Sequence, residues 1–158
     1  MIKNIGIVII GLVLAGMMIG SAAAQNTPAD NMEIVKDKIR TDKKLFIANN
    51  MKLTETEAKA FWPVYEVYQA KLEKLVDRKG QLIEKFAANY ETLSDDTAKS
   101  LLDNDLSIDS DYQKLRQSHL AKFRGILSDK KVARFYQLES KIHAIVEFEI
   151  ARRIPLVQ

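Results

Sequence analysis

From Phe61 to Phe86, apolar side chains recur in alternating steps of four and three: Phe61, Tyr65, Tyr68, Leu72, Leu75, Leu82 and Phe86, with only Lys79 breaking the series. A stripe sustained over four heptads predicts a helix with a coiled-coil-like seam. Taken from Thr54 to Glu91, that helix would be about 55 Å long at 1.5 Å per residue. Pro63 stands inside it, where a proline removes one backbone hydrogen bond and crowds the preceding turn. The spacing therefore predicts a kink at Pro63, or a short first piece divided from a long remainder.

The rest of the chain offers little besides helix. Of six glycines, four lie before residue 21, leaving only Gly80 and Gly125 beyond it, with Pro28, Pro63 and Pro155 as the prolines. That is too little turn material for a β protein, so the expected class is all-α. No cysteine is present, which removes disulfides, thiol chemistry and cysteine metal sites. Two glycines also cannot build a loop that cradles phosphates, so no nucleotide is expected.

The first 24 residues carry Lys3, an apolar stretch from Ile5 to Ile19, and small residues ending at Ala22-Ala23-Ala24. This is the layout of a secretory signal peptide, and cleavage is expected before Gln25. The apolar run is shorter than the roughly 20 residues that span a bilayer. Residues 25–30 read as a polar, flexible leader, and residues 31–158 as one helical domain. Removing Lys3 lowers the net charge from +3 to +2. So small a balance suits neither nucleic acid nor a polybasic membrane surface.

Helix signals divide the domain into four. Met32, Val35, Ile39 and Phe46 give a first helix from Asn31 to about Asn50. Thr54 and Glu57 form a capping box that opens the second. Ser94, followed by Asp95 and Asp96, opens a third, whose seam runs through Ala98, Leu101, Ile108, Tyr112, Leu115, His119 and Ile126, widened by Leu102, Leu106 and Phe123. Ser128 caps the fourth, with Val132, Phe135, Leu138, Ile142 and Ile145 as its seam. Tyr136, Val146, Phe148 and Ile150 broaden that last face, so it must be covered from more than one side. A second copy of the chain is the simplest cover, which makes a homodimer the expected state.

The segments "LTETEAKAFW" from Leu53 and "LSDKKVARFY" from Leu127 repeat a leucine, a hydroxyl cap, an early acid and paired aromatics at an offset of 74 residues. Together with "FWPVY" and the closing "IPLV", they resemble the periplasmic helical proteins related to Spy and CpxP, which carry repeated LTxxQ segments. The glutamine position is Glu57 in one segment and Lys131 in the other. The resemblance implies long bent helical hairpins that interlock as a curved dimer. It also implies a non-enzymatic, ATP-independent periplasmic chaperone or envelope-stress protein. Its partners would be unfolded or exported proteins and, for some relatives, a membrane sensor. Within that frame Phe61, Pro63, Tyr68 and Phe135 are expected to form a structural kink and aromatic core. Trp62, Tyr65 and Tyr136 are the candidate client-binding residues.

Other chemistries have less behind them. Two histidines on different helices, no cysteine and no GxSxG elbow leave no nucleophile with a base and an orienting acid. The carboxylate pairs Asp95-Asp96 and Asp103-Asp105 fit helix starts and solvated faces, and no cofactor is expected. Glu139, His143 and Glu147 share a face at spacing four, but read as an exposed charge ladder rather than a metal site. A regulator of a membrane sensor stands as the alternative function.

Overall fold

The computed structural model describes residues 28–157. The apolar leader, its Ala22–Ala24 site, Gln25 and the side chains of Met32 and Val35 lie outside the described residues. The chain is all-α, and the described residues form four α-helices: α1 (Pro28–Met51), α2 (Glu55–Asn89), α3 (Asp95–Arg124) and α4 (Asp129–Ala151). No described helix is long and apolar enough to cross a membrane. α1 starts at Pro28, three residues before the expected Asn31, because a proline is well placed in the first turn, where its missing N–H has no intrahelical partner.

The helix boundaries follow from local chemistry. Lys52 takes a left-handed φ of 48° and ends α1. At Thr54 the hydroxyl accepts from the Glu57 N–H and the Glu57 carboxylate accepts from the Thr54 N–H, completing the capping box. The Ser94 hydroxyl accepts from the Thr97 N–H. Ser128 occupies the cap position of α4 without using its side chain, and Asp129 instead pairs with Arg124 across the turn. Gly125 closes α3, its N–H donating to the Ala121 carbonyl.

Pro63 does not divide the second helix, which runs unbroken from Glu55 to Asn89. Nor does it join the aromatic core, since Pro63 and Lys59 are both exposed. The carbonyl at Lys59 that loses its partner to the proline lies on the solvated side, where water can replace the missing N–H.

α2 and α3 form the main antiparallel pair, tied by Arg78 to Asp111 at 2.7 Å and by Lys79 to Asp105 at 2.5 Å. α1 folds back on α2 through Arg40 and Lys44, which share Glu66. α4 packs beside α1 and α3. At the end where the two short turns meet, Phe61, Tyr65, Tyr68, Phe123 and Phe135 pack with Ile47, Met51, Leu115, Leu127, Val132 and Leu138. Phe123 and Phe135 lie 4.6 Å apart, centroid to centroid, and each touches Phe61. Aromatic pairs offset or edge-on in this way add to the burial of their area.

The two segments of the sequence repeat face one another in this core. Phe61 meets Phe135 edge-on at 5.4 Å, and Glu57 forms an ion pair with Lys131. Both pairs join equivalent positions, 74 residues apart.

Several side chains depart from the expected stripes. Among the described side chains of α1 the core positions are Ile47 and Met51, while Phe46 is exposed. Leu102, Leu106, Ile145 and Phe148 are also exposed, whereas Phe123, read as a flanking residue, is fully buried. The actual stripe in each helix is set by two or three neighbours, which rotates the buried face away from that of a single seam.

Candidate functional site

The four helices leave an open groove of about 540 Å³ along one side of α2. Its apolar surface comes from all four helices: Ile39 of α1, Leu72, Leu75 and Ile83 of α2, Ile108 of α3, and Val146 and Ile150 of α4. Leu72 and Leu75, both on the heptad stripe, are only partly buried and line it. Val76 stands at the lip, about half exposed at 51%. The volume lies within the roughly 300–1,000 Å³ range of small-molecule and peptide-anchor pockets.

Gly80 lies on the groove in the interior of α2. Helix interiors disfavour glycine by roughly 0.5–1 kcal/mol relative to alanine. No positive φ requires it, and a Cβ added at this position would meet nothing within 4 Å. Its consequence is width: any side chain there would stand in the mouth of the groove.

The polar end of the groove is a closed network joining three helices. Lys43 of α1 donates to Gln69 Oε1 at 2.9 Å and to Glu139 Oε2 at 3.0 Å, and Gln69 Nε2 of α2 donates to Glu139 Oε1 at 3.3 Å. Glu139, on α4, is only 2% exposed. A buried carboxylate needs such satisfaction, since an unpaired one is strongly disfavoured. Lys79, also on the groove, is held charged against its burial by the Asp105 hydrogen bond and the Glu147 carboxylate, and stays above the usual lysine range.

Each sequence-predicted site residue has a definite place. Tyr65 does not face solvent: it is 2% exposed and packed between Phe61, Trp62 and Phe135. An i, i+4 step from Phe61 puts it on the same buried face, so it belongs to the core. Tyr136 is half-buried and donates its hydroxyl to the Arg116 carbonyl at 2.6 Å, with the Arg116 guanidinium 5.2 Å from its ring centroid. Trp62 is half-buried beside Phe61 and Tyr65, and the Lys44 ammonium lies 5.3 Å from its ring centroid. Phe61, Tyr68 and Phe135 are core residues.

Glu139, His143 and Glu147 separate into different environments. Glu139 is buried in the network just described, rather than part of an exposed ladder. His143 stacks on Tyr112 at 4.3 Å, and Glu147 lies 4.0 Å from both His143 and Lys79. Among the described residues no group of three or more His, Asp or Glu side chains is placed to hold a metal.

No family model, curated protein or solved structure matches this chain. Function must be read from the residues themselves.

His119, beside the aromatic core rather than on the groove, gives the fold a pH dependence. It is 1% exposed, its Nδ1 donates to the Leu115 carbonyl at 3.0 Å, and it packs edge-on against Tyr68. Burial holds its pKa below the ordinary 6.5, helped by Lys122 and Lys71 and opposed by the Leu115 hydrogen bond. A depressed folded pKa means that the unfolded chain takes up the proton first. The stability owed to neutral His119 is therefore complete above about pH 6.5 and lost as pH falls towards the folded value. The melting temperature should drop between about pH 7.5 and pH 5, and His119→Phe should flatten that slope. Glu57, Glu66 and Asp111 also have lowered pKa values, held down by their ion-pair hydrogen bonds, and the stability they contribute is lost only as pH falls into and through the carboxylate range.

Proposed function

We propose that this protein is an exported, non-enzymatic binding protein that acts as an ATP-independent periplasmic chaperone. The observation that carries the reading is the open apolar groove with Gly80 at its mouth. A helix glycine that serves no turn and no close contact sacrifices local stability, and what it preserves here is access to apolar surface. The secretory pattern of residues 1–24 supports an extracytoplasmic address, and the likeness of the "FWPVY" and "LTETE" segments to Spy- and CpxP-related proteins supports the functional class.

The chemistry suits transient holding. Apolar surface attracts exposed hydrophobic segments of an unfolded client, while charges around the rim keep the complex soluble and limit how much of the client is buried. Selection rests on exposed apolar character rather than on one sequence. Release needs no hydrolysis, because a client that buries its own apolar residues no longer offers them.

The test is suppression of aggregation. Mature protein from Gln25 onward is mixed with a chemically denatured client, diluted into buffer without ATP, and followed by light scattering. Scattering should fall in proportion to the protein added. Unchanged scattering at several-fold molar excess would refute the chaperone reading.

A further inference from the structure

The charges around the groove are not balanced. Among the described residues its lysine and arginine side chains are already engaged: Arg40 with Glu66 at 3.1 Å, Lys43 with Glu139 and Gln69, and Lys79 with Asp105. Glu73, Glu84 and Asp109 line the same groove and are exposed, with no ion pair or hydrogen bond among the described residues; Arg40 and Lys79 act on Glu73 and Asp109 only at longer range. Glu73 and Glu84 are 11 residues apart on α2, about 16 Å along the axis. Asp109 faces them from α3. The result is an apolar floor about three helical turns long, lined by exposed carboxylates from α2 and α3 that hold no close ion pair among the described residues.

We infer that the groove receives a cationic amphipathic helix, laid along α2 with its apolar stripe on the floor and its Lys or Arg side chains against Glu73, Glu84 and Asp109. This names the partner class for the groove and rests on the binding-protein reading above. Helix-in-groove recognition places apolar anchors at i, i+3, i+4 and i+7, and the length of the floor matches two to three such turns. An anionic amphiphile would meet these three exposed carboxylates, while the groove's lysine and arginine side chains among the described residues are already engaged. Rim charges of this kind govern selectivity and salt sensitivity, while the apolar floor supplies most of the attraction.

The inference is tested by fluorescence anisotropy on the mature chain. The probes are a labelled leucine–lysine amphipathic peptide of roughly 14 residues, or four turns, and its leucine–glutamate counterpart. The lysine peptide should bind at least tenfold more tightly at low salt, and the preference should shrink as salt is raised. The triple variant Glu73→Gln, Glu84→Gln, Asp109→Asn alters exposed positions only, so its circular dichroism should be unchanged while the preference falls to about twofold or less. Equal binding of both peptides, or a preference that survives the triple variant, would overturn the proposal. So would light scattering at twice the chain mass with the peptide excluded wherever the dimer forms, since the groove would then belong to a second copy. Aggregation suppression measured on the same samples separates the two claims: suppression without charge preference defeats only the choice of occupant, and loss of both defeats the binding reading as well.

Discussion

Replacing Phe61 with alanine is expected to cost about 3–5 kcal/mol, enough to leave a domain of this size largely unfolded. The side chain is completely buried, with Trp62, Tyr65, Phe123 and Phe135 all between 5.1 and 5.6 Å from its ring centre. These neighbours come from three helices and from both copies of the repeat, so no single element can move in to fill the space. Trp62→Ala should cost less, about half as much, because that side chain is only partly buried and lies beside Lys44. Urea unfolding of the two variants decides the point. Equal losses would mean that Trp62 is as much a core residue as Phe61, and a small loss at Phe61 would mean that the aromatic cluster does not organise the fold.

The second large effect is expected at Lys43. Lys43→Met leaves the Glu139 carboxylate buried with only the weak 3.3 Å contact from Gln69, and removal of one partner from such a pair destabilises by about 3–5 kcal/mol. The double variant Lys43→Met, Glu139→Leu should recover most of that loss, since a well-packed apolar pair removes the desolvation cost of both charges. A double-mutant cycle by urea unfolding reads the coupling directly. A loss below about 0.5 kcal/mol at Lys43→Met would show that α1 is not anchored through this network.

Much of this architecture was legible because it is written in local chemistry. The capping box at Thr54 and Glu57, the Ser94 cap and the steps from Phe61 through Tyr65 to Tyr68 each require only neighbours within one helix, whereas beyond Tyr68 the buried apolar position is Ile83, off the expected stripe. The pairing of the repeat was half legible. Matching aromatics 74 residues apart marked the two segments, but nothing in the pattern said that Phe61 would meet Phe135 and that Glu57 would meet Lys131. The glutamine positions of the resembled motif are filled here by opposite charges that bridge the two segments.

What the pattern could not convey was decided by rotation about the helix axes. Tyr65 stands both on the seam, four positions from Phe61, and among the candidate client-binding residues, and the structure follows the spacing. Phe46 was read as core, yet Ile47 is buried in its place, because α1 must serve α2 and α4 together. Lys43 and Gln69 were not singled out. A signal existed: Lys43 sits midway between Ile39 and Ile47 at steps of four, and Glu139 follows Phe135 by four. Charged residues on an apolar stripe, one basic and one acidic, mark a buried pair. The groove itself had only Gly80 to announce it.

Gly80 also provides the most direct test of the account. A glutamine at this position has open space, lies in a helix that favours it over glycine, and obstructs the groove mouth. Gly80→Gln should therefore melt at or above the temperature of the parent protein while losing most of its suppression of client aggregation without ATP. A variant that folds as well and suppresses aggregation as fully as the parent would contradict the claim that this groove is where the protein binds.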